Sequence, residues 1–268
     1  MALDSAAGLL ACPVCAARLD LVPGGAACPA GHRFDAARQG YLNLSGSPEP
    51  ANADTAAMLA ARARVHTAGL FDAVSDAIAG AIDESARVIV EVGAGNAFYL
   101  ARALDARPDA RGLALDVSKA AARNAARAHP RAASIVADVW RGLPVRTGAC
   151  DAVLAVFAPR NPAEFARVLR PGGRLVVAIP GPGHLAELRE RYHLLEVPSD
   201  KRERLVTGLA EWFAHRHSAR LLRAAPQPAE RVADLIAMGP NAFHGTPVEV
   251  SAGRVSVDVS VETFVRLS

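Results

Sequence analysis

Cys12, Cys15, Cys28 and His32 place three of the chain's four cysteines and a histidine in the spacing Cys-x2-Cys-x12-Cys-x3-His. Two close pairs of thiolate and imidazole donors, separated by one hairpin's worth of chain, suit a tetrahedral zinc ion. Each pair lies in a tight turn, Cys-Pro-Val-Cys and Cys-Pro-Ala-Gly-His, where proline fixes φ and glycine lets the backbone fold around the ion. Leu19, Leu21 and Val22, followed by Pro-Gly-Gly, read as a strand and turn joining the pairs. The competing reading is a disulfide, which a chain without an export signal disfavours. Four protein ligands leave no open position, so the ion is structural Zn2+. A module of about 35 residues cannot fold on apolar burial alone, and the metal is its staple. Cys150 stands apart before an apolar run and reads as core.

A second set of residues has the chemistry of nucleotide binding. VIVEVGAGNAFYL, from Val88, gives a buried strand, a glycine turn and a helix start. Gly93 and Gly95 let the backbone approach a ligand, with Glu91 before them and Asn96 after. GLALDVS ends a second strand at Asp116, where a carboxylate can accept both ribose hydroxyls of an adenosine. ASIVADVW ends a third at Asp138, placed to receive an adenine amino group. Val117 and Val139, next to these acids, complete the predicted cofactor-binding set. The alternative is that both aspartates only cap the helices that follow. Gly93-Ala94-Gly95-Asn96-Ala97 lacks the third glycine of the dinucleotide fingerprint, and RVLRPGGRLVV reads as a helix ending at Pro-Gly-Gly before a further strand, which resembles the turn of class I S-adenosylmethionine methyltransferases; with Asp138 this favours S-adenosylmethionine over NAD.

The elements that must position these residues follow from periodicity. With ACDAVLAVFAP and PGGRLVVAIPG as fourth and fifth strands and helical stretches between, the fold class is α/β, a doubly wound sheet with ligands at the carboxyl ends of its strands. Residues 1–45 form the zinc module. Residues 46–86 hold a Ser/Pro/Gly/Asn-rich linker and two helices, the first capped by Asp54-Thr55 and closed by Gly69, the second running from about Phe71 to Ile82; residues 87–268 form the main domain. Arg62, Arg64 and His66 on the first helix face either a cleft or water. VEVSAGRVSVDVSVETFVRL alternates with period two around Ser-Ala-Gly and predicts a terminal antiparallel hairpin.

The 268 residues, 51% hydrophobic and 21% charged, are enough for one large domain and a small appendage. A net charge of +3 permits a nucleic-acid partner without requiring one, and the arginine content reflects a GC-rich coding bias. No apolar run approaches the roughly 18 residues of a membrane span, so the expectation is a cytoplasmic protein with no membrane partner. Arg18, Arg33, Arg38, Gln39 and Tyr41 form a set suited to phosphate and base contacts, or an ordinary solvated face.

Nearly the whole chain resembles the 23S rRNA (guanine-N1)-methyltransferases, a family that includes macrolide-resistance enzymes. The resemblance rests on the zinc motif with HRFDAARQGYLNL, on DTAAMLAAR, EVGAGNAFYL, LDVSK, FAPRNPAEFARVLRPGGRLVVAIPGPGHLAELRE and MGPNAFH. It implies a class I S-adenosylmethionine-dependent methyltransferase with a Rossmann-like domain. It further implies a zinc module that recognises a hairpin in domain II of 23S rRNA, methyl delivery to N1 of a loop guanine, and a homodimer with paired clefts, though no interface stripe stands out. Two positions depart from the family pattern. Asn96 and Ala97 replace the usual continuation of the glycine turn and are expected to crowd the methionine end of the cofactor, and Glu91 replaces a shorter Asp. These departures keep two alternatives open, a small-molecule methyltransferase of the same descent and an RNA-binding homologue with impaired catalysis.

Methyl transfer to guanine N1 needs in-line alignment and loss of the N1 proton, helped by an imidazole or by a cation at O6. The loop after the fourth strand supplies Arg160 and the loop after the fifth supplies His184 as the catalytic candidates; each is otherwise a solvated arginine or a capping histidine. Phe157, Trp140, Phe243 and Tyr192 are available to cover an unstacked base.

Overall fold

The computed structural model describes residues 2–244 and 249–267. The amino-terminal ligands sit on a small antiparallel sheet of β1 (Asp20–Val22), β2 (Gly25–Ala27) and β3 (Arg33–Asp35). Val22 pairs with Gly25 across the Pro-Gly turn that the sequence predicts, and Gly24 takes φ +82° there. β4 (Tyr41–Asn43) leaves this sheet and joins the main one.

Two helices follow the linker. α1 (Ala56–Thr67) starts at Thr55, whose Oγ1 accepts the Met58 amide at 3.3 Å, and Gly69 follows its end at φ +74°. α2 spans Asp72–Ala81. The main domain then runs β5 (Val88–Val92), α3 (Phe98–Asp105), β6 (Arg111–Asp116), α4 (Lys119–Ala125), β7 (Ala132–Val136), β8 (Cys150–Val156), α5 (Pro162–Val168), β9 (Leu169–Pro180), α6 (Ala186–Tyr192), α7 (Lys201–Leu209), β10 (Phe213–Gln227), α8 (Ala229–Ala237) and β11 (Gly253–Arg266). The sheet order is β10-β11-β9-β8-β5-β6-β7-β4. Pairing is parallel from β9 to β4 and antiparallel at β11 and β10.

β5 and β7 are buried at every position, as apolar runs covered on both faces must be. Val90, Leu113 and Val153 face one core with Phe165 and Phe264; Ile89, Ala114 and Leu154 face the other with Phe71, Ile78 and Leu235. The zinc module belongs to the first core, where Leu9, Leu10, Leu19 and Cys28 pack with the strand residues. Ala11 also donates its amide to Pro144 O at 3.1 Å and Arg146 donates to Leu9 O at 2.9 Å.

Three expectations change. The tail is one strand, β11, whose hairpin partner is β10 across α8, so Ser-Ala-Gly is not a hairpin turn. α5 ends at Val168, before Pro-Gly-Gly, because Leu169 already pairs with Cys150, and the glycines form the irregularity that resets register to Ala152 and Arg174. Tyr41 is buried against Ala122 and Val136 in the β4–β7 pair and so leaves the predicted RNA-contact set.

Because the module and the sheet share a core, Leu10→Ala, which empties a fully buried site, is expected to lower stability by about 3 kcal/mol. In urea melts followed by fluorescence and far-UV dichroism the loss should appear as one shifted transition rather than a separate early one.

Candidate active site and metal centre

The donor atoms of Cys12, Cys15, Cys28 and His32 lie within 4.8 Å of one another. Cys15 Sγ is 3.7 Å from Cys28 Sγ, and His32 Nδ1 is 3.6 Å from Cys12 Sγ and 3.3 Å from Cys28 Sγ. Zinc–sulfur bonds of about 2.3 Å and zinc–nitrogen bonds of about 2.0 Å give tetrahedral edges of roughly 3.8 and 3.5 Å, so the four residues fit the ion. Burial opposes ionisation of Cys28, but hydrogen bonds from His32 and Ala30 outweigh it and bring the thiol down to about 6. All four cysteines are free of disulfides. Cys150 is core: burial pushes its thiol far up, and it donates to Val168 O at 3.0 Å.

At the carboxyl edge of the sheet, the turn from β5 to α3 carries Gly93 at φ +65°, Gly95 at φ +53° and Ala97 at φ +53°. A Cβ on Gly93 would meet Ala158 Cβ at 2.7 Å, and one on Gly95 would meet Arg62 Nη1 at 2.6 Å. Ala97 is a fully buried non-glycine residue in the left-handed region, a strain of about 1 kcal/mol. The Asn96 side chain turns out of the cradle, donating to Leu59 O at 2.9 Å and accepting from Asn124 Nδ2 at 3.0 Å. α1 and α4 thus hold its amide.

Glu91 lies beneath the turn at 1% exposure and accepts the Leu100 amide at 3.1 Å, in the first turn of α3. Burial lifts its carboxyl to about 8, Asp116 adding to the rise while the Leu100 amide and Arg62 oppose it. Asp116 ends β6 and bridges two loops, Oδ2 accepting the Gly95 amide and Oδ1 the Ser118 amide, each at 2.8 Å. It caps no helix; Ser118 Oγ does so for α4. Burial raises the Asp116 carboxyl, with the two amide bonds opposing and Asp54 adding. Asp138 spends Oδ1 on the Trp140 amide at 2.9 Å, capping the short turn Val139–Arg141. Val117 is half-buried and Val139 buried beside these acids.

Across the same edge stand three rings. Phe157, after β8, is held at φ +53° with 42% of its surface exposed, an uncommon backbone state for a bulky side chain. His184, after β9, stacks with it at 6.0 Å between centroids and 26° between planes. Phe71 closes on both, at 6.1 Å from Phe157 and 6.2 Å from His184. Burial depresses His184 to about 4, so its ring is neutral, and the Asp258 amide donates to Nδ1 at 3.3 Å. That bond leaves the proton on Nε2, which becomes a donor and not a base. Arg160 donates to Ala158 O at 3.3 Å, and burial depresses its guanidinium; no carboxylate among the described residues pairs with it. Trp140 and Phe243, at 66% and 43% exposure, are surface rings, not core.

Sequence reasoning missed the support beneath His184. Asp258, on β11, has a fully buried side chain, binds Arg220 Nη2 at 2.8 Å and Nε at 2.9 Å, and accepts the Gly183 amide at 2.9 Å. A Cβ on Gly181 would fall 2.6 Å from that carboxylate. The one available signal was an acid inside an alternating apolar run. His66 faces neither cleft nor water: its imidazole is buried and stacked on Phe98 at 4.1 Å, and among the described residues its Nδ1 has no hydrogen-bond partner.

The comparisons agree with this geometry. Residues 10–45 match the family model described as RlmA, N-terminal, and residues 89–173 match a methyltransferase domain model. A chain from the Haloferax volcanii complex of the Trm112 methyltransferase activator with a methyltransferase superposes with a TM-score of 0.53 at 18% identity, covering 79% of this chain and 98% of that one, and shares its fold. The protein is a Rossmann-like, S-adenosylmethionine-dependent methyltransferase with an amino-terminal zinc ribbon. The Streptomyces fradiae 23S rRNA (guanine(748)-N(1))-methyltransferase is 44% identical over 247 residues, 90% of this chain and 88% of its own. A Micromonospora griseorubida protein, provisionally assigned as a 23S rRNA (guanine-N(1)-)-methyltransferase, is 42% identical over 97% of this chain and 96% of its own. At that identity and coverage, the chain belongs to the 23S rRNA (guanine-N1)-methyltransferase family. Among the described residues no helix is long and apolar enough to cross a membrane.

Chelation should release one zinc per chain, read by atomic absorption, and lower the thermal midpoint by roughly 10 °C, since the ion holds a module that shares the main core. The histidines give a pH signature. Burial depresses His66 to about 4 from its ordinary 6.5, so between these values the unfolded chain binds the extra proton. Its contribution is complete above pH 6.5 and is lost as pH falls toward 4, and His184 has the same sign. Urea stability measured across that range should therefore rise less steeply with pH in His66→Phe than in the parent.

Proposed function

We propose that the protein transfers the methyl group of S-adenosylmethionine to N1 of a guanine in a domain II hairpin loop of 23S rRNA. The observation that carries this reading is the exposed, strained Phe157 stacked near His184 on the same sheet edge as the Gly93–Gly95 turn. A flat acceptor needs a π surface and one directed donor there, and the two rings supply both.

The cofactor residues fit the group the fold calls for. Gly93 and Gly95 keep the cradle open, Asp116 would receive the ribose hydroxyls on the lone pairs its two amide bonds leave free, and Asp138 with Val117 and Val139 would border the adenine. Glu91 keeps the turn in place from beneath, through α3. Asn96 shapes the turn from its outer side, tied to α1. When bound, the cofactor supplies a methyl on a sulfonium, an electrophile that needs alignment more than acid or base strength.

His184 Nε2–H would donate to guanine O6, where negative charge would build as N1 gives up its proton to solvent. Arg160 adds an unpaired cation to the same site. The zinc ribbon grips the RNA through Arg18, Arg33, Arg38 and Gln39, and the bacterial cytoplasm, where ribosomes are made, is the place of action.

Labelled methyl transfer to unmodified domain II fragments tests the reading. The parent should label a loop guanine at N1 and slow reverse transcription there, while His184→Ala and Arg160→Ala should each lower the rate roughly a hundredfold. Expression in a sensitive host should raise macrolide tolerance. Labelling of small acceptors but not RNA would overturn the proposal.

A further inference from the structure

The segment DTAAMLAAR has two charged ends, Asp54 and Arg62, and neither has a role in the scheme above. In the fold they meet: Arg62 Nη1 lies 2.6 Å from Asp54 Oδ2, with both side chains 22% exposed. Nη2 donates to Met238 O at 2.6 Å, so the end of α8 helps to aim the guanidinium. Its target is the glycine turn, since a Cβ on Gly95 would meet Nη1 at 2.6 Å. Asp54 is fixed at the neighbouring strand end, where Ser118 Oγ donates to its carbonyl at 2.7 Å. One cation and one anion are therefore held at the cofactor turn by four segments: the linker, α1, the β6–α4 loop and the end of α8.

An ion pair this enclosed is a costly way to fasten a helix, because partial desolvation offsets much of its attraction. Its placement makes sense if the pair opens for a ligand carrying one charge of each sign. The amino-acid end of S-adenosylmethionine is such a zwitterion. Inserting it between Arg62 and Asp54 replaces one ion pair by two and leaves the net charge unchanged.

Building on the cofactor reading above, we infer that Arg62 and Asp54 form the clamp for the methionine end of the cofactor, Arg62 taking the α-carboxylate and Asp54 the α-ammonium.

Titration calorimetry on the full, zinc-loaded chain separates this role from mere bracing. S-adenosylhomocysteine carries the amino-acid end, and 5′-deoxy-5′-methylthioadenosine lacks it. Arg62→Ala and Asp54→Asn should each weaken S-adenosylhomocysteine about thirtyfold while leaving methylthioadenosine within about twofold, in line with loss of a charge-assisted bond. Arg62→Lys, which keeps the cation and guards against misfolding of the alanine variant, should restore part of the loss. An equal drop for both ligands, or no drop for S-adenosylhomocysteine, would show a structural latch and overturn the clamp. If the parent binds neither compound, the cofactor reading falls and the clamp with it, a result distinct from either of those.

Discussion

The carboxylate of Asp116 holds the edge of the sheet in its working shape. It stands at the end of β6 and accepts one amide from the β5–α3 turn and one from the β6–α4 loop, so two neighbouring loops share one anchor. Taking a carboxylate from water is costly unless its lone pairs are filled, and here backbone donors fill half of them without consuming a side chain. The turn is thus fixed from within the sheet rather than by solvent. Glu91 acts on the same turn from below, its carboxyl raised by burial and by Asp116.

This anchor explains how the turn survives departures from an all-glycine run. Ala97 carries left-handed strain, yet Asp116 on one side and the Asn96 amide, tied to α1 and α4, on the other over-determine its backbone. Asn96 and Asn124 connect the turn to helices that a glycine at position 96 would leave unattached.

How much of this the sequence discloses depends on whether the signal is local. β5, β6, β7 and β8 are legible because strands covered on both faces must be apolar runs, and the zinc ligands because metal geometry dictates their spacing. Asp116 and Asp138 are legible as acids ending such runs. The support of His184 is not: Arg220 and Asp258 meet only across the β10–β11 pair, and arginine is too frequent here for one more to stand out. In the sequence Arg62 faces either a cleft or water, and only packing decides between them. In the tail, Ser-Ala-Gly mimics a turn, but the partner strand precedes α8. On β11 the alternation is real, but its polar face, Asp258, Ser260 and Glu262, is buried too, and Glu262 gathers Arg202, His215, Ser218 and Ser260 around it.

β4 belongs by sequence to the zinc module and by pairing to the main sheet, lying parallel to β7 with Tyr41 opposite Ser134. The metal-bearing finger and the edge where Asp116 stands are therefore joined through one sheet. On the proposed function this turns recognition into a measurement of length. A gripped stem presents its loop at a set reach, and a base one step nearer or farther along the hairpin would miss the methyl even if its chemistry were right.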